Sequence, residues 1–207
     1  MPVPTHFFER TRELCGSYLW KDWAGYLAVC RYDKTLEVEY SAFRQSAGLL
    51  DVTPLCKYEV HGPDAIPFLS RVMVRNISKL RPGRVAYTCW CDDSGKVIDD
   101  GTVARLDENH FRVTSALPAQ GWLTRLSSRY DVSIEDSSTE IAALALQGPL
   151  SREILRQCVD IDIDSLKYFD VAFTQIEGFG VWLSRTGYTG DLGFEIWADN
   201  QNALESE

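Results

Sequence analysis

Residues 85–91, 96–105 and 110–115 alternate apolar with polar positions, and the turn formers Asp92-Asp93-Ser94-Gly95 and Asp107-Glu108-Asn109 separate them. That pattern predicts three consecutive antiparallel strands. Upstream, Leu36, Tyr40 and Phe43 recur at helical spacing within 34–47, and Gly48 is placed to stop that helix. Cys56 to Val60 alternates as a strand and runs into His61-Gly62-Pro63-Asp64, after which Ala65, Ile66, Phe68 and Leu69 form one apolar helical face. The second half repeats the mixture. Helices are predicted over 120–130 and 149–158, and strands over 132–135 and 141–147. A hairpin joins 173–176 to 181–185 through Glu177-Gly178-Phe179-Gly180. Hairpins mixed with strand–helix–strand units predict the α+β class. No Pro- or Ser-rich linker marks a domain boundary.

Composition narrows the function classes. The chain has 207 residues, 45% hydrophobic and 25% charged, which is the make-up of a globular protein with one large core or two modest ones. No apolar run approaches the ~20 residues of a membrane span, and Met1-Pro2-Val3-Pro4-Thr5-His6-Phe7 has neither the basic nor the apolar region of a signal peptide. A cytoplasmic location without a membrane partner is the expectation. The net charge of −9, with no concentrated Lys/Arg stripe, argues against a nucleic-acid partner.

Six cysteines, at 15, 30, 56, 89, 91 and 158, form no CxxC pair, and His6, His61 and His110 lie far apart with no metal-ligand spacing. Free thiols and no metal are therefore expected, and the same scarcity of histidines argues against a Ser-His-Asp or Cys-His hydrolase. Phosphate-loop and dinucleotide-binding glycine patterns are both missing from the sequence.

The densest chemistry lies in Ser184-Arg185-Thr186-Gly187-Tyr188-Thr189-Gly190-Asp191-Leu192-Gly193-Phe194-Glu195-Ile196. Gly187, Gly190 and Gly193 are expected to supply positive φ and close backbone approach. Phe194-Glu195-Ile196-Trp197 alternates as a half-buried strand, so Glu195 is a carboxylate fixed beside a glycine-bent loop. Such a group grips a flat ring with adjacent N–H donors, because an ionised carboxylate accepts two parallel hydrogen bonds. The same spacing also fits a glycine-rich hairpin with a solvated glutamate. Asp99 and Asp100 form a second candidate. Adjacent on a strand, they point to opposite faces and cannot share one proton or one metal.

These words, taken together, resemble those of the glycine-cleavage T-protein (aminomethyltransferase) family. The glycine-rich stretch resembles its RTGYTGE-x-GFE signature. Ala47-Gly48-Leu49-Leu50-Asp51-Val52, His61-Gly62-Pro63-Asp64-Ala65, Gly95-Lys96-Val97-Ile98-Asp99-Asp100, Ala145-Leu146-Gln147-Gly148-Pro149 and Lys167-Tyr168-Phe169 follow in family order, from about residue 40 to 198. The resemblance implies two α+β subdomains with antiparallel sheets around a central folate-binding opening, over 51–130 and 131–198. An N-terminal segment with a helix precedes them over 1–50, and 199–207 is the start of a helix. It also implies a β-rich C-terminal domain that these residues do not include.

By the same resemblance the activity is tetrahydrofolate-dependent transfer of an aminomethyl or methyl group, with tetrahydrofolate as cofactor. Asp100 matches the catalytic position. Glu195 and Tyr188 match pterin-holding positions, and Tyr87 and Tyr168 match other folate-contacting tyrosines. Each tyrosine also reads as an ordinary core or rim aromatic, and the aspartates as the end of a hairpin strand. Thr114 in Val113-Thr114-Ser115-Ala116 stands where the family has an asparagine, Thr53-Pro54 replaces Ser-His, Gly101-Thr102 follows the aspartate pair, and the loop acid is Asp191 in place of Glu. These departures resemble wider folate-dependent relatives that demethylate small methylated amines, sulfonium compounds or aryl ethers. A folate-binding module without catalysis is a further alternative. The partner is a small-molecule one-carbon donor, or a lipoyl carrier protein if the substrate is aminomethyl. Nothing in the sequence fixes the oligomeric state.

Overall fold

The structure is a computed structural model, and it describes residues 1–199. The chain forms two compact units, both discontinuous in sequence: residues 1–54, 140–168 and 172 onward make unit 1, and residues 55–139 with 169–171 make unit 2. The predicted boundaries at 50 and 130 are contiguous cuts; in the structure the N-terminal residues join unit 1 and residues 131–139 join unit 2. The predicted helix start at 199–207 falls, beyond Asp199, outside the described residues.

Unit 1 opens with β1 (Val3–Pro4), α1 (Phe8–Leu14), β2 (Leu19–Trp23), β3 (Tyr26–Arg31), α2 (Leu36–Gln45) and β4 (Gly48–Asp51). Unit 2 supplies β5 (Cys56–His61), α3 (Ala65–Val72), β6 (Arg84–Cys91), β7 (Val97–Asp107), β8 (His110–Ser115), α4 (Gln120–Ser127) and β9 (Ser133–Asp136). The chain then returns to unit 1 with β10 (Ile141–Gln147), α5 (Ser151–Leu155), β11 (Val171–Ile176), β12 (Phe179–Ser184) and β13 (Gly193–Asp199).

The α+β class is as the sequence predicts, with antiparallel pairing dominant. Among the described residues no helix is long and apolar enough to cross a membrane.

In unit 2 the five strands run in the order β6-β7-β8-β5-β9. Alternation gives this sheet two unlike faces. One carries Tyr58, Val60, Val103, Phe111, Val113 and Trp90, all fully or nearly fully buried. Against them pack Ala65, Phe68, Leu69 and Val72, which recur at i, i+3, i+4 and i+7 along α3, together with Leu123 of α4. The opposite face is polar, with Lys57, Glu59 and Arg112 among its side chains.

In unit 1 the order is β11-β12-β13-β10-β4. Its core gathers Leu146, Leu155, Ile163, Leu166, Leu183 and Phe194. A small sheet, β1-β3-β2, has no counterpart in the sequence reading. Gly48 does not simply stop α2. It begins β4, and a Cβ there would overlap the Phe43 ring.

Candidate functional site

The register of unit 2 places Tyr87 opposite Thr102, Thr102 opposite Thr114 and Thr114 opposite Lys57, a cross-strand row on the polar face. Asp100, opposite Cys89, is one step along the same face. Three residues singled out from the sequence, Tyr87, Asp100 and Thr114, are thus neighbours on one rigid sheet. The Tyr87 hydroxyl donates to Asp100 Oδ2 at 2.5 Å.

Asp99, by contrast, pairs with buried Trp90 on the helix-covered side. Its Oδ2 accepts from Leu117 N at 3.0 Å, and its Oδ1 from Asp100 N at 2.8 Å. Asp99 therefore fixes the turn beyond β8, and its neighbour is left to serve the polar face. Gly101 lets this happen. A Cβ at Gly101 would overlap the Thr114 carbonyl oxygen, so only glycine brings β7 this close to β8.

Unit 1 holds the glycine-rich loop, between β12 and β13. Of its glycines only Gly190 has positive φ, at 75°. Gly187 and Gly193 are glycines for a different reason from the positive φ that the sequence predicts. A Cβ at either would overlap the side-chain amide of Gln147. That amide is buried and fully engaged: Nε2 donates to Thr186 O at 3.1 Å and to Phe194 O at 3.2 Å, and Oε1 accepts from Thr189 Oγ1 at 3.1 Å. Gln147 is the bolt around which the loop is bent. Its role is missed in the sequence reading, although the signal is there: an amide ends the apolar run Ile141-Ala142-Ala143-Leu144-Ala145-Leu146, and a buried amide needs partners.

Glu195 lies on β13 opposite Ser184 on one side and Ala145 on the other. Burial pushes its carboxyl above the ordinary glutamate range, and a hydrogen bond from the Thr186 side chain offsets part of that rise. Thr186 Oγ1 is also 2.9 Å from Ser184 Oγ. Tyr168 meets the loop itself: with Arg185, Thr186, Gly187, Gly190, Asp191, Leu192 and Gly193 it lines a cavity of about 260 Å³. Glu195 is not in that lining but touches it through Thr186. Tyr188 stands at the loop surface, 75% exposed. Asp191, the acid that departs from the family signature, pairs with Arg44 of α2 at 2.5 Å.

A larger cavity of about 540 Å³ lies in unit 2, lined by Arg75, Asn76, Lys79, Arg81 and Arg84 among others. Of its four cations only Arg84 has a carboxylate partner among the described residues, Asp170.

Unit 2 thus presents a rigid strand-borne carboxylate oriented by a tyrosine, and unit 1 a glycine-bent loop with a half-buried acid. The chain belongs to the GCVT N-terminal domain family, whose model matches residues 7–206. It is 35% identical over 206 residues to an aminomethyltransferase of Thermoanaerobacter sp. (strain X514), covering 97% of this chain and 55% of the relative. It is 37% identical over 188 residues to an aminomethyltransferase of Caldanaerobacter subterraneus subsp. tengcongensis, covering 88% and 50%. The chain thus spans about half the length of these curated relatives. Its fold is similar to that of the glycine cleavage system aminomethyltransferase T from Bartonella henselae, with a TM-score of 0.86 at 21% identity, over 100% of this chain and 58% of the other.

Proposed function

We propose that this chain is the folate-binding part of a tetrahydrofolate-dependent one-carbon transferase. The observation that carries the reading is the shared polar face of Tyr87, Asp100 and Thr114, with the tyrosine hydroxyl donating to Asp100. Tetrahydrofolate, when bound, supplies a ring nitrogen that takes up the one-carbon unit. The residues fit such a group. A pterin presents adjacent N–H donors, and Glu195 is a partly buried acid whose only side-chain hydrogen bond among the causes of its shift comes from Thr186. Donation from a pterin would bring that carboxylate back to its ionised form, where charge-assisted bonds are strongest.

Tyr168 and Tyr188 offer ring faces beside it. Asp100, its oxygen oriented by Tyr87, stabilises positive charge on the carbon being transferred, a preorganised electrostatic role. The donor is a small methylated or aminomethylated molecule, or a lipoyl carrier protein if the unit is aminomethyl. Thr114 favours a small free donor: it puts a short hydroxyl into the row where the family has a longer amide.

Anaerobic isothermal titration of tetrahydrofolate into this chain, and into the longest product of its gene, tests the reading. Glu195→Ala is expected to weaken binding by about 2–4 kcal/mol, the worth of a charged hydrogen-bond pair. Unchanged affinity in that variant overturns the pterin assignment.

A further inference from the structure

At the end of β5 and the start of β8 the polar face of unit 2 carries a second cluster. His61 is directly opposite His110, and Glu59 directly opposite Arg112. Glu59 and His61 are two residues apart, so both side chains leave the same face of the strand. The two imidazoles stack at 4.0 Å between centroids, 23° from parallel. His110 Nε2 is 2.5 Å from Glu59 Oε2. One ligating atom from each of Glu59, His61 and His110 lies within 4.8 Å of the others. Long separation in sequence hid this set; the antiparallel register brings it together.

From this geometry we propose that Glu59, His61 and His110 form a site for a borderline divalent metal of the zinc class. Two imidazole nitrogens and one carboxylate oxygen select zinc, nickel or copper over magnesium or calcium, which favour all-oxygen shells. The carboxylate is already prepared for one metal-facing oxygen, because Arg112 Nε holds the other, Oε1, at 2.6 Å and Ser137 Oγ approaches it at 3.3 Å. Outer hydrogen bonds of this kind orient ligands in metal sites.

Binding replaces the hydrogen bond between His110 and Glu59: the metal takes Nε2 and Oε2, and the neutral imidazole keeps its one proton on Nδ1. Ligands on one zinc at about 2.0–2.1 Å require that pair to open by less than about 1 Å, within reach of side-chain rotation. Glu135, opposite Glu59 on β9, stands on the same face and is exposed, available to the fourth position alongside water. The metal joins neighbouring strands β5 and β8, so it stabilises unit 2 without taking part in folate chemistry.

The test uses the chelator-treated chain, titrated with Zn2+ by calorimetry and with Co2+ by absorption. One equivalent is expected to bind, raising the melting temperature, with weak visible Co2+ bands and no thiolate charge-transfer band in the near ultraviolet. That last readout separates this site from the free cysteines. His61→Ala and His110→Gln should each lower affinity at least tenfold while leaving the circular dichroism of the metal-free protein unchanged. Three results would overturn the proposal: a thiolate band with the first equivalent, wild-type affinity in the double variant, or no binding up to about millimolar metal. Should His110→Gln fail to fold, His61→Ala alone decides.

Discussion

Tyr87 on β6 and Asp100 on β7 are not directly opposite each other; the tyrosine reaches diagonally past its own partner, Thr102, to donate its hydroxyl to the carboxylate at 2.5 Å. Diagonal neighbours on a twisted antiparallel pair are within reach of an aromatic side chain. The sheet therefore sets the direction of the Asp100 oxygen. In the longest gene product, Asp100→Asn is expected to lower turnover about a hundredfold while tetrahydrofolate affinity changes little, as for loss of one preorganised charge. Tyr87→Phe, which leaves the carboxylate but removes its donor, should give a smaller loss of turnover. Steady-state kinetics with a defined one-carbon donor checks both, and full turnover in Asp100→Asn removes the catalytic role.

Glu195 makes the stability of unit 1 depend on pH. Its folded pKa is raised by burial, so the fold prefers the protonated acid. The stabilising contribution is complete below the ordinary glutamate pKa and is lost as pH rises through the folded value. Glu195→Gln, an uncharged isostere, should therefore melt a few degrees higher than the wild type near neutral pH, and the difference should vanish in acid. Melting curves across pH check this, and a variant less stable at neutral pH contradicts it.

Gly101→Ala is expected to destabilise unit 2 by about 2–3 kcal/mol, because the added carbon meets backbone, the Thr114 carbonyl oxygen, which cannot rotate away. Denaturant unfolding measures the loss. The variant should also lose turnover, since Asp100 is the adjacent residue and moves with the strand.

Thr53 is fully buried, and its hydroxyl both accepts from Ala143 N at 3.0 Å and donates to Ala143 O at 3.3 Å. The departure from serine at this position therefore keeps the group that matters. Thr53→Ser should cost no more than about 1 kcal/mol, the worth of a methyl, whereas Thr53→Val should cost about 2 kcal/mol by stranding the Ala143 N–H, the Ala143 carbonyl keeping its bond from Val52 N at 2.9 Å. Chemical denaturation of the two variants distinguishes them.

Elements governed by local pattern were legible in the sequence: α3, the hairpin of β6 and β7, and β8 fall within a few residues of their predicted bounds. Opposite faces for Asp99 and Asp100 followed from period two alone, and the register bears that out. What required the third dimension was anything set by long-range pairing. β4 is a strand because it pairs with β10, almost a hundred residues later, and the short runs of β1 to β3 carry too little alternation to announce a sheet. The glycines of the loop were legible as a motif, yet the cause of two of them, the Gln147 amide, belongs to another strand. The pairing of His61 with His110 is likewise a matter of register.

The packing of Gln147 between Gly187 and Gly193 also constrains how this chain can change over generations. Any side chain larger than hydrogen at either glycine collides with the amide, while shortening the amide strips partners from Thr186, Phe194 and Thr189. No single step leads away from the trio without passing through a weakened ancestor, so the three positions are expected to stay fixed together or be exchanged together, and the words GxxxxxG and LQGP should travel as one through the lineage.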